Sequence, residues 1–139
     1  MTLNVVVCGS RTWADADQIR RRLRWEDEDS NYAVHFWHGA CPEGADAFVA
    51  AYCRGSAGLS ERGREHPMPA DWKAHGKAAG PIRNRKLLEA AKPVAFVLAF
   101  LDVPASRGTL DMIHAAIKAG VPEVVIIRPT APSSPPPTA

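Results

Sequence analysis

What this chain has little of narrows its function first. Among 139 residues there are only three cysteines, Cys8, Cys41 and Cys53, an odd number with no paired Cys-x-x-Cys spacing. That excludes a disulfide scaffold and reads as a reduced, intracellular protein. No apolar run is long enough to cross a membrane, and "MTLNVVVCGS" at the start is too short for a secretory signal, so a cytoplasmic location is expected. An excess of either charge is lacking as well. The net charge is +2, which gives no global field for nucleic acid or an anionic membrane. Arg20, Arg21, Arg22 and Arg24 form a basic cluster, but "EDED" follows directly and cancels it, so nucleic acid is not an expected partner.

What remains is the composition of a soluble domain, with 46% hydrophobic and 23% charged residues. The length suits one domain that buries its core without staples. Short apolar runs at Leu3–Cys8, Ala33–His38, Gly63–His66, Val94–Phe100 and Glu123–Ile127 read as strands. Helical spacing lies between them, at about 15–24, 45–54, 81–91 and 109–119. Pro81 suits a first helical turn, and Gly120 follows the last apolar residue of the fourth helix. Strands alternating with helices predict a mostly parallel sheet of about five strands covered on both faces. The expected architecture is therefore α/β, a single Rossmann-like three-layer domain over residues 1–128. A proline-rich tail, "PTAPSSPPPTA", occupies 129–139 and is expected to be disordered.

In an open parallel sheet, ligands bind beyond the carboxyl ends of the strands, so the segments after the strands carry the functional reading. After the first strand come Gly9, Ser10 and Arg11, a tight turn with a hydroxyl and a phosphate partner. After the second come Gly39, Ala40 and Gly44, with Glu43 and Asp46 opening a helix. That acidity suits ribose hydroxyls or a base edge better than phosphate. His35, His38 and Cys41 do not make a zinc site: strand side chains alternate, so the two histidines point to opposite faces, and a fourth ligand is missing. The stretch "HPMPADWKAHGKAAGPIRNRK" (66–86) reads as a long loop interrupted by proline and glycine, with Asp71, Trp72, Arg83, Asn84 and Arg85 along it. Trp72 beside cations suits a stacked base, or else it plugs the loop from beneath. Asn84 heads the buried stripe of Leu87, Leu88 and Ala91. After the fourth strand, Ser106, Gly108 and Thr109 open a helix and form an anion site, or simply cap it. Four glycine-bearing junctions on one rim favour a nucleotide-sized pocket. Nothing in the residues calls for a metal or a cofactor.

The segments "CGSR", "HGACPEGADAFVA", "ADWKAHGKAAGPIRN" and "AFLDVPASRGTLDMI" together resemble the YspA/YpsA-related branch of the SLOG superfamily, in order from about residue 3 to 127. The superfamily includes the LOG phosphoribohydrolases and the DNA-processing protein DprA. The resemblance implies binding or sensing of a nucleotide or nucleotide derivative, such as a nucleoside monophosphate, ADP-ribose or a dinucleotide. It also implies a homodimer. Arg83 and Asn84 match the YspA-like pattern, and Arg85 is nearest to the catalytic arginine of the LOG enzymes. Gly108 and Thr109 keep part of the LOG phosphate motif, but Met112 stands where those enzymes carry a catalytic glutamate. Asp111 is one residue away, turned by about 100° on a helix. The alternative reading is a LOG-like N-glycosidic hydrolase, with Arg85, Asp46, Asp71 and Asp111 as candidate catalytic residues.

Overall fold

The computed structural model describes residues 1–55, 58–103 and 106–130. Most of the proline-rich tail, 131–139, therefore lies outside the described residues. Five strands, β1 (Thr2–Gly9), β2 (Ala33–His38), β3 (Glu65–Pro67), β4 (Val94–Phe100) and β5 (Val124–Ile127), form one sheet in the order β3-β2-β1-β4-β5. Every pairing is parallel, with Val5 opposite Phe36 on one side and Phe96 on the other. The helices are α1 (Ala16–Glu28), α2 (Ala45–Arg54), the single turn α3 (Trp72–His75), α4 (Ala79–Ala90) and α5 (Arg107–Lys118). The expected Rossmann-like α/β architecture is the one observed.

Alternation along the strands explains the layers. Val5, Val7, Val34, Phe36, Leu98 and Phe100 pack with Ile19 and Leu23 of α1 and Val49 of α2. The opposite face buries Val6 and Val97 against Leu87 and Leu88 of α4 and Met112 and Ala116 of α5. The central strands are thus covered twice, which is why their sequences are nearly continuous apolar runs. Among the described residues, no helix is long and apolar enough to cross a membrane.

Two expectations need correction. α1 runs to Glu28 rather than ending near residue 24, because Arg22 pairs with Glu26 at 3.0 Å and Arg24 with Glu28 at 3.1 Å along the helix. The acidic run, which cancels the charge of the arginine cluster, also extends the helix. Residues 66–86 are not one long loop either: helix begins at Trp72, capped by Asp71 accepting from the Ala74 amide at 3.0 Å. A 3₁₀ turn at Gly76–Ala78 then leads into α4 at Ala79, so Gly76 (φ +54°) bends the helical path rather than abolishing it. At the far end of α5 the helix stops as read: the Gly120 and Val121 amides close onto Ile117 and Ala116 carbonyls, with Gly120 at φ +79°. Beyond β5, Gln18 of α1 binds the Arg128 carbonyl at 2.9 Å and the Thr130 amide at 3.3 Å.

Candidate ligand cleft

Strand order reverses between the parallel neighbours β1 and β4, so the loops leaving them diverge and open a crevice at their carboxyl ends. A cleft of about 590 Å³ lies there, within the usual range for small-molecule sites. Its floor is the end of β1, where Gly9 lies against Phe100 of β4: a Cβ on Gly9 would sit 2.7 Å from the Phe100 carbonyl oxygen. Ser10 then ties three elements together. Its amide donates to Phe100, its carbonyl accepts from Trp13 and Ala45, and its Oγ accepts from the Asp102 amide at 3.3 Å.

One wall is the β2–α2 turn with Gly39, Cys41 and Asp46; the facing wall is α4 and the start of α5. A hydrogen-bonded chain joins them. Arg83 donates through Nη1 to the Gly39 carbonyl and, at 3.3 Å, to the Met68 carbonyl, and through Nε to Asn84 Oδ1 at 3.0 Å. Asn84, only 3% exposed, donates onward to the Gly108 carbonyl at 3.2 Å and to Asp111 at 3.0 Å. Asp111 also receives Arg85, with contacts from 3.1 Å. Burial disfavours the Asp111 carboxylate, but the Arg85 and Asn84 hydrogen bonds outweigh it and hold its pKa below the usual range.

At the mouth, Trp72 is half exposed, with the Arg11 guanidinium 5.8 Å from its ring centre. Ser106 caps α5 by accepting from the Thr109 amide at 3.2 Å, which leaves the Arg107 and Gly108 amides without an intrahelical acceptor. Asp46 is 8% exposed; its Oδ2 accepts from the Cys41 amide at 3.1 Å, and Oδ1 has no hydrogen bond among the described residues.

The cleft thus brings together Gly9, Arg11, Gly39, Asp46, Trp72, Arg83, Asn84, Ser106, Gly108, Thr109 and Asp111. Other residues named from sequence lie outside its lining. Ser10 is buried behind it, with its hydroxyl committed to Asp102. Ala40 and Gly44 shape the β2–α2 turn, Asp71 caps α3, and Arg85 lies on the outer side of α4, where Asp111 holds it.

A model of the YspA, cpYpsA-related SLOG family (YAcAr) matches residues 3–75. The chain is also 34% identical to the Gene 61 protein of Mycobacterium phage D29 over 120 residues, which is 86% of this chain and 93% of that protein. The chain belongs to the YAcAr family.

Cys8, Thr12, Cys41, Lys77, Arg107 and Met112 also line the cleft of this YAcAr chain, although none is among the ligand-binding residues expected from sequence. Arg107 opens α5, and Lys77 lies in the 3₁₀ turn that leads into α4. Asp102, directly after the apolar run of β4, accepts from Thr12 Oγ1 at 2.7 Å, while its Oδ1 is buried without a partner among the described residues. Cys8 and Cys53 are poor nucleophiles: burial pushes the Cys8 thiol well above its ordinary range, with Asp46 adding to it, and raises Cys53 to about 12. His38 and His35 do point to opposite faces, toward Glu65 and His66 respectively.

Burial also raises the Asp46 pKa, against the lowering effect of the Cys41 amide and nearby His38, Arg83 and Arg11. A carboxyl whose folded pKa is raised contributes most stability below its unfolded pKa, and loses it as pH rises through the folded value. Asp46→Asn is therefore expected to raise the melting temperature at neutral pH by a few degrees and to change it little near pH 4. A lower melting temperature at neutral pH would contradict this account of Asp46.

Proposed function

We propose that this YAcAr chain binds a nucleotide or nucleotide-derived small molecule, of nucleoside monophosphate, ADP-ribose or dinucleotide type, in the cleft at the sheet's carboxyl rim. The carrying observation is one cleft that combines the free α5 amides, the cations Arg11, Lys77, Arg83 and Arg107, and an unpartnered Asp46 oxygen. Phosphate suits the α5 start at Ser106, Gly108 and Thr109, where amides and helix dipole favour an anion. Asp46 Oδ1 suits a ligand hydroxyl or amine, since it can only accept while ionised. Trp72 offers a flat face to a base. Membership in a SLOG family supports the same class of ligand.

The test is calorimetry with AMP, ADP, ADP-ribose and NAD, beside mass spectrometry of small molecules that co-purify with the protein. Binding of at least one nucleotide is expected, and failure of all four at millimolar concentration would overturn the reading. Trp72→Ala is expected to weaken binding about tenfold, since base–aromatic stacking contributes roughly 1–3 kcal/mol. The melting temperature should stay the same, because the indole is half exposed.

Binding without turnover is the expected behaviour. Met112, 3% exposed, lines the cleft without any acid–base capacity, and Asp111 is committed to Arg85 and Asn84. Arg85 stays protonated and cannot activate water. Chromatography should therefore find no free base released from AMP above the enzyme-free control. Release that Asp46→Asn or Asp71→Asn abolishes would instead favour the hydrolase reading.

A further inference from the structure

Three successive residues of the turn after β2 each have a backbone group held by a side chain. Arg83 of α4 donates to the Gly39 carbonyl; the Ala40 amide donates to His38 Nδ1 at 3.0 Å; the Cys41 amide donates to Asp46 of α2 at 3.1 Å. Ala40 has φ +56°, alone among the described non-glycine residues in being left-handed. Glycine would adopt that conformation without strain, so alanine stays there only because its surroundings hold it.

His38 is the holder that lies furthest from solvent, fully buried with Nε2 2.7 Å from Glu65 Oε2. Since Nδ1 accepts from an amide, the ring proton sits on Nε2 and is donated to Glu65. Glu65 is fixed in turn, its other oxygen accepting from Ser60 Oγ at 2.7 Å and Arg54 Nε at 2.9 Å. Neither His38 nor Glu65 lines the cleft, yet the turn they hold meets Arg83 and Asp46, which do. A side chain added at Gly39 would collide with the Arg83 guanidinium at 2.5 Å, so turn and arginine are packed without slack.

We infer that His38, oriented by Glu65, is a positioning residue for nucleotide binding: it locks Ala40 left-handed and thereby sets Arg83 and Asp46 in the cleft. This rests on the nucleotide reading above. A purely structural dyad would instead support only the β2–β3 edge.

Two variants separate these roles. In His38→Asn, the side-chain oxygen can take the place of Nδ1 and accept from Ala40, but it no longer reaches Glu65. In His38→Gln, the amide can replace Nε2 and donate to Glu65, but the Ala40 amide loses its acceptor. His38→Gln is expected to weaken ADP-ribose binding at least about tenfold and to speed hydrogen exchange at Ala40, whereas His38→Asn stays within about threefold of wild type. His38→Gln binding like wild type, with Ala40 still protected, would overturn the positioning role alone. Wild-type failure to bind any of the four nucleotides would overturn both readings. Nitrogen-15 spectra of the unmutated protein, which need no variant to fold, should report an unprotonated Nδ1 on His38; a protonated Nδ1 would overturn the inference.

Discussion

Gly108→Asp is expected to lower nucleotide affinity by about 100-fold or more while the protein melts at an unchanged or slightly higher temperature. The carboxylate would stand among the free amides at the start of α5, where the ligand's phosphate is proposed to lie, and like charges in a site cost several kcal/mol. The fold should tolerate it. A Cβ at position 108 meets only Ser106 Oγ, at an ordinary 3.8 Å. Aspartate in a first helical turn also complements the dipole, and it replaces the residue with the poorest helix propensity after proline. Calorimetry with ADP-ribose beside a thermal melt checks both halves, and unchanged affinity in a folded variant would remove phosphate from the α5 terminus. Gly108→Ala, which adds bulk but no charge, should have a far smaller effect.

Gly44→Ala should do the reverse and damage the fold itself, by about 3 kcal/mol or more. Gly44 has φ +68° and ψ −141°, backbone that is nearly closed to any residue with a side chain. Its missing Cβ leaves room for the β1–α1 loop, since an added one would sit 2.5 Å from Arg11 backbone atoms. Gly63 is the natural control: it shares the positive φ, at +69°, but has nothing within 4 Å of its would-be Cβ. Gly63→Ala should lose only the left-handed strain, roughly 1–2 kcal/mol. Urea denaturation of the two variants makes the comparison, and equal losses would refute the packing argument.

Local signals in the chain account for most of the fold. "VVV", "VAFVLAF" and "VVII" announce buried parallel strands because both faces of each must be apolar. Gly120 and Pro81 mark helix ends because their backbone preferences act within a few residues. Where local signals misled, a neighbour one turn away had intervened. Arg22 and Arg24 met Glu26 and Glu28 and carried α1 onward, and Asp71 capped a helical turn inside what looked like loop.

The rim could also be anticipated, since parallel βαβ units bring every strand-to-helix junction to the same side of a sheet. Gly9, Gly39, Asp46 and Gly108 follow from that rule, and the family resemblance rests on those same junctions. What residue order could not supply is which polar groups remain open to a ligand. Ser10 looked available and is buried on Asp102; Arg85 looked poised and is held on the outside by Asp111. His38 carries no ligand role in the sequence pattern, yet its Nδ1 accepts from the amide of left-handed Ala40. Each outcome depends on partners 26 to 92 positions away for Arg85 and Ser10, or on a backbone conformation that has no sequence signature at alanine. Hydrophobic periodicity is a property of neighbours along the chain, so it can be read from residue order. A hydrogen bond is a property of two atoms within about 3 Å, and only the folded chain determines which atoms those are.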